Sequence, residues 1–345
     1  MRRTLCGTEL TVVCLLWTFI TCVPQLAADD QAQVVSFYGY ESAIELKNDA
    51  GVRVVLCPEV GGRILEYSLN KTNALYLSEQ EKNWKPGDKP ASSAGRFDIG
   101  PELVVPRRSI LWSGQWQGEI VGPRHARLTS QNDPATGVRL VRDFQLARDT
   151  TRLLCTQTMI NVSDSVEEWC HWSRTFAQGK GICLIPVSDV KRFPNHYVLY
   201  EDRGLLNFYA DDPGIRLRNG FIDIFQTPRK PKLGFDSYEG MIAYVAPNDL
   251  LFLKRFATFP DRVYNEAAGL TISVWYPDGD MVELEPIGPR QRIEPGESAA
   301  FTEEWWLAPF QFPDESRNVD LTTLKEVADT LQSPPEFYEQ FVAPE

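Results

Sequence analysis

The stretch "LLCTQTMINVSDSVEEWCHWSRTF", residues 153–176, sets two runs of branched and aromatic residues on either side of "NVSD". Asn, Ser and Asp favour turns because their short side chains bond to their own backbone. The pattern predicts a strand, a turn and a second strand. Period two in the second strand puts Trp169, His171 and Ser173 on one face and Cys170, Trp172 and Arg174 on the other. His171 is one of three histidines in the chain. With a reference pKa of about 6.5, it can donate a proton near neutrality. A histidine hydrogen-bonded inside a sheet is the alternative reading.

The same rhythm runs outward in both directions. "AIELKN", "VRVVLCP", "RILEYSL" and "ALYL" are separated by "NDAG", "EVGG" and "NKTN", and it returns in "RLVRDFQLA", "MIAYVA", "LFLKRFA", "LTISVWY", "MVELEPI" and "AAFTEEWWLA". Many short strands without intervening helices predict an all-β, antiparallel sandwich. Residues 79–109 and 186–234 break the rhythm with Pro, Gly and charge, and read as a long loop and an irregular insert. Near the end, "DLTTLKEVADTLQ" puts Leu321, Leu324, Val327 and Leu331 on one helical face after a capping Asp320. This predicts one helix packed outside the sandwich. The expected organisation is residues 1–28 as a leader, 34–310 as the sandwich, and 311–345 as helix and tail.

The leader reading rests on a basic "MRR", an apolar "LTVVCLLWTFITCV" and a small-residue "PQLAADD". The apolar run is short for a bilayer, which takes roughly 20 residues. Cleavage near Ala27 or Ala28, export to the periplasm or medium, and no stable membrane insertion afterwards are expected. The 345-residue chain carries a net charge of −12; losing residues 1–28 removes Arg2, Arg3 and Glu9 and makes it −13. So acidic a surface repels phosphate backbones and argues against nucleic acid as a partner. Of seven cysteines, Cys57, Cys155, Cys170 and Cys183 follow the leader. Their spacing matches no zinc site, and no metal or cofactor is expected. Cys170 and Cys183 lie on runs that could form neighbouring strands and pair, or all four could be buried thiols.

Four constellations are candidates for chemistry. In "CPEVGGRILEYSL", Gly61 and Gly62 make a tight turn and Arg63 opens the next strand. In "GRFDIGPE", Arg96, Asp98 and Glu102 stand among turn formers, suited to hydrogen-bond a polyhydroxylated ligand or to be solvated loop. Trp112 and Trp116, in "ILWSGQWQGE", follow closely; indole faces stack on the C–H faces of sugar rings, although many tryptophans are simply core. The Trp–His–Trp strand is the third. In the fourth, "MVELEPIGPRQRIEPGESAAFTEEWWL", Glu283 and Glu285 share one face of a strand and repel unless each has a partner.

In this order the segments resemble the galactose mutarotase-like (aldose 1-epimerase-like) superfamily, over roughly residues 40–308. "TMINVSDSVEEWCHWSRTF" is similar to the family's strand bearing a catalytic His, matched by His171. "VELEPIGPRQRIEPGES" is similar to its strand ending in a catalytic Glu, matched by Glu285, with Glu283 one strand period away. "PEVGGRI" resembles its opening hairpin. The resemblance implies a β-supersandwich that binds a mono- or oligosaccharide, in a secreted branch of the superfamily. Typical members carry a second His in an "HGG"-like segment; here that region holds "GRFDIGPE", and neither His125 nor His196 matches it.

The expected activity is anomer interconversion by ring opening. Glu285 would take the proton of the anomeric hydroxyl and His171 would protonate the ring oxygen, across a pocket walled by Trp172. Arg63, Arg96, Asp98, Glu102, Trp112, Trp116, Arg174, Lys254 and Glu283 would bind the sugar. The rival expectation is a glycan-binding module that performs no chemistry. A lyase or hydrolase using Tyr197 or Tyr200 is a third.

Overall fold

The computed structural model describes residues 31–89, 91–189 and 191–334. The leader and the end of the tail lie outside the described residues. Two antiparallel sheets pack face to face, one of 13 strands and one of 10. The large sheet runs Gln33–Phe37, Tyr40–Lys47, Val52–Cys57, Arg63–Leu69, Gly95–Gly100, Glu167–Gln178, Met281–Pro286, Ile272–Trp275, Lys232–Phe235, Tyr197–Tyr200 and Leu206–Asn207. The small sheet has Leu250–Phe256, Ser298–Pro309, Leu153–Asn161 and Val138–Leu146 at its middle.

The predicted sandwich is what forms, and the reason is the period-two pattern. Along Leu153–Asn161 burial alternates without a break, with Leu153, Cys155, Gln157 and Met159 turned inward. Ile64, Phe97 and Ile99 of the large sheet meet Leu140, Phe144, Met159 and Trp305 of the small one in a single core. The turn at Gly61–Gly62 has φ of 66° and 56°. A Cβ there would also run into the Trp112 carbonyl and the Trp116 ring, so only glycine fits.

The helix Leu321–Thr330 forms where predicted. The Asp320 side chain accepts from the Thr322 and Thr323 amides, 2.9 and 3.3 Å away. Leu321, Leu324 and Ala328 cover the outer side of the small sheet against Leu184, Leu251, Leu253 and Trp306.

Three expectations need correction. "GRFDIG" is not a loop: Gly95–Gly100 is a central strand, all six residues buried, hydrogen-bonded along Glu167–Gln178. Phe97 and Ile99 do alternate, but Arg96 and Asp98 between them mask an apolar run. The insert at 186–234 contains five short strands rather than irregular chain. Cys170 and Cys183 lie in different sheets, and all four described cysteines are free and buried.

Candidate functional site

The strand Glu167–Gln178 has the large sheet's two faces as different environments. Its inward side chains are in the sandwich. His171 is 1% exposed and stacks on Phe301 with ring centroids 5.7 Å apart. Neither ring nitrogen has a hydrogen-bond partner. Burial lowers its pKa to about 3; the backbone of Ala299 and Gln157 falls short of hydrogen-bond geometry and offsets this only in part. Next along this face, Ser173 and Thr175 each accept from Lys254 Nζ at 2.8 Å, and Lys254 also meets Glu303 at 3.2 Å. Lys254 is fully buried, and burial lowers its pKa.

The opposite face carries Cys170, Trp172 and Arg174. Cross-strand register sets Trp172 opposite Asp98, Arg174 opposite Arg96, and Phe176 opposite Glu283. Glu283 and Glu285 share this face, which turns away from the small sheet. His171 and Glu285 are therefore on opposite sides of the sheet and do not meet across a pocket. A one-residue change of parity separates the expected acid from the expected base.

Three ion pairs organise the outer face. Arg174 Nε donates to Glu283 Oε1 at 2.9 Å. Lys232 Nζ donates to both Glu285 oxygens, at 2.9 and 2.6 Å. Arg108 grips Asp98 through Nε, 2.7 Å from Oδ1, and through Nη2. In each pair the cation is the partner that reaches solvent. Arg174, Lys232 and Arg108 side chains are 18%, 15% and 14% exposed, and their carboxylates at most 2%. The anions thus hold the cations in place, and the cations form the solvent-reaching part of each pair.

Burial, and then the charge of Glu285, push Glu283 up. Burial acts against Glu285 as well, but Lys232 and Arg174 hold it well below the usual carboxylate range. Of the two, Glu285 ionises first and Glu283 holds its proton the more tightly. A third carboxyl, Glu266, is raised to about 7 by burial and by Glu102 and Glu285. Its Oε2 accepts the Glu102 amide at 2.7 Å, and Tyr200 Oη lies 3.4 Å from Oε1.

Aromatic rings floor the cluster. The Arg174 guanidinium lies 4.9 Å from the Trp172 ring centroid and 5.2 Å from that of Trp112, and Lys232 Nζ lies 5.2 Å from Trp172. Arg96 also lies over the Trp112 ring, 4.2 Å from its centroid, and donates to the Trp112 carbonyl. Trp275 is half-buried on the same face, paired with Glu283 on one side and Lys232 on the other. The buried Trp172 Nε1 has no partner.

Of the residues singled out in the sequence, the outer face gathers Asp98, Glu102, Trp112, Trp172, Arg174, Glu283 and Glu285, with Arg96 against Trp112. It does not gather His171, Lys254 or Trp116, which face the sandwich; the Trp116 ring packs under Arg142 at 4.2 Å. Arg63 is also elsewhere: fully buried, it is consumed by Glu81, Tyr40 and the Val60 carbonyl. Lys232, Arg108, Glu266, Tyr200 and Trp275 complete the cluster. The sequence signal for Trp275 was period two in "LTISVWY", while Lys232 was hidden by the charge and proline of "TPRKPK". Among the described residues no group of His, Cys, Asp and Glu is arranged to hold a metal ion.

No family model matches the chain, and no curated protein matches it in sequence. Solved structures do match it. A galactose mutarotase-like protein from Lactobacillus casei aligns with a TM-score of 0.56 at 10% identity, over 77% of this chain and 100% of that one. A putative aldose 1-epimerase from Escherichia coli aligns at 0.52 and 12%, over 78% and 99%. A galactose mutarotase-like protein from Clostridium acetobutylicum aligns at 0.53 and 10%, over 81% and 99%. The chain has the galactose mutarotase-like fold.

Proposed function

We propose that this protein, exported after loss of its leader, binds a carbohydrate on the outer face of its large sheet. The observation that carries this reading is the arrangement of Arg174, Lys232 and Arg108. Each cation is paired with a buried carboxylate and is the member of its pair that reaches solvent, and the half-buried Trp275 lies on the same face. Fixed donors match the hydroxyls of a sugar, and an indole plate matches its apolar C–H face. The fold agrees with this, because solved structures of the same fold include a putative aldose 1-epimerase.

A second reading, anomer interconversion, is favoured by the split between Glu283 and Glu285. Glu283, bearing a proton, donates it to the ring oxygen while Glu285 takes the proton of the anomeric hydroxyl. The C1–ring-oxygen bond breaks, the open aldehyde turns about one bond, and the ring closes on the other face as both protons return. His171 has no part in this scheme.

The test is a panel of aldohexoses studied by ligand-detected NMR and by polarimetry of freshly dissolved pure anomers. Wild-type protein binds, and Arg174→Gln weakens binding. If Glu283→Gln and Glu285→Gln keep binding but abolish acceleration, the catalytic reading stands. If wild type binds and never accelerates, the protein is a binding module. If no hexose binds, the carbohydrate reading falls.

A further inference from the structure

We infer that the ligand of this face is a glycoside with an apolar aglycone, an alkyl or acyl group that lies along a ridge beside the sugar. The inference rests on the carbohydrate reading above and adds the other half of the ligand. Tyr209, Leu103, Val104 and Leu205 are the four most exposed large apolar side chains of the described residues, at 80%, 72%, 70% and 66%. Leu103, Val104 and Leu205 sit on two loops, and the loops touch: a Cβ built on Gly204 would lie 3.4 Å from Leu103 Cδ1, while Tyr209 follows just past the short strand Leu206–Asn207. Contiguous exposed apolar surface on a soluble domain marks a contact site rather than packing.

Both loops are attached to the polar cluster. The first, from Pro101 to Arg108, is tied down by the Glu102 amide on Glu266, by Glu102 beside Lys232 at 3.7 Å, and by Arg108 on Asp98. Within it the Val104 and Val105 amides donate to the Pro101 carbonyl, at 3.1 and 2.9 Å, which fixes a turn with Leu103 and Val104 at its tip. The second loop starts after Tyr200, the residue beside Glu266. It is closed by the Glu201 amide on the Leu205 carbonyl at 2.8 Å. The tips are held out by hydrogen bonds on both sides and do not fold back onto the core.

The chemistry of the ridge selects its occupant. Three of the four side chains are aliphatic, so they offer no flat plate for a further sugar ring; they match methylene groups. Beside the second loop Glu201 and Asp202 share Lys230, at 3.4 and 3.1 Å, so this edge carries paired charge rather than a basic patch for lipid headgroups. A sugar seated over Arg174 and Lys232 leaves the ridge as the surface on which an apolar substituent can shed water.

The experiment compares methyl and n-octyl glycosides of glucose and galactose, each below its micelle concentration, by calorimetry. Wild type is expected to bind the octyl form of its preferred sugar about tenfold tighter than the methyl form, or more. The double variant Leu103→Ser, Leu205→Ser loses that gain and keeps methyl glycoside affinity. Val34→Ser, at a 62% exposed apolar site outside these loops, leaves both unchanged. Methyl glycosides that bind with no octyl gain, or a gain that survives the double substitution, overturn the inference alone. Failure of all four glycosides overturns it together with the carbohydrate reading. Binding to sugar-free phosphatidylcholine vesicles that the double substitution abolishes reassigns the ridge to membrane and also overturns it.

Discussion

Glu283 and Glu285 stand one pleat apart on the same face of one strand, and each is answered by a different cation, Arg174 for the first and Lys232 for the second. Glu285→Gln leaves Lys232 with only Glu102, and a largely buried ammonium without its counter-charge is costly. A loss of about 2–3 kcal/mol is expected in urea denaturation at neutral pH. Glu283→Gln is milder and changes the pH dependence instead. Glu283 keeps its proton in the folded state above the pH at which the unfolded chain releases it. The unfolded state then binds fewer protons, so stability falls as pH rises from the usual carboxylate range towards the raised value. Glu283→Gln should flatten that decline. An unchanged slope between pH 5 and 8 would mean that Glu283 is ionised throughout.

His171 is expected to shape acid stability and nothing else. Its folded pKa is about 3, against about 6.5 when unfolded. Below pH 6.5 the unfolded chain gains a proton that the native chain refuses, so stability drops by up to about 1.4 kcal/mol per pH unit until the lower value is reached. His171→Leu removes this contribution while filling the space beside Phe301. The variant should unfold at lower pH than wild type and bind sugar equally well. Loss of sugar binding at full stability would return His171 to the site.

The same strand explains what was legible in the sequence. Period two sorted Trp169, His171 and Ser173 from Cys170, Trp172 and Arg174 correctly, and it put Glu283 and Glu285 together. It could not say which set faced the core, because both faces are covered and each carries a tryptophan. Scarcity made His171 conspicuous, yet a neutral ring beside Phe301 is a core residue. Asp98 and Glu102 were found by composition although the strand that carries Asp98 was read as loop. Lys232 was out of reach: its partner Glu285 is 53 residues away in sequence, and only the sheet order brings them together. The helix at Leu321–Thr330 needed no such long-range information, since its cap and apolar stripe are local.

The cysteines give a prediction of their own. Cys57, Cys155, Cys170 and Cys183 are free and buried, and burial pushes every one of their thiols up, Cys57 to about 11. A thiol that is both buried and protonated is unreactive. Ellman's reagent at pH 8 should titrate none of the four in the folded protein and all of them after unfolding. Reductant should leave the melting temperature unchanged. A reductant-sensitive melt would show that the oxidised protein pairs cysteines that lie apart in this fold.

Trp275 separates a ligand surface from a merely well-packed one. It is half-buried at the end of its strand, between Glu283 and Lys232 in register, and does not belong to the core. Its indole therefore contributes less to stability than the buried Trp172, and under the carbohydrate reading it is the ring that stacks on the sugar. Trp275→Ala should weaken hexose binding about fivefold to tenfold, the worth of one aromatic contact of about 1 kcal/mol. Stability should fall by less than a core tryptophan costs, about 3–5 kcal/mol when truncated. Trp275→Phe keeps a flat ring and should recover most of the affinity. Isothermal titration and thermal melts on the three proteins decide the matter. If Trp275→Ala melts several degrees lower and binds hexose as wild type does, the tryptophan is structural and the sugar sits elsewhere on the sheet.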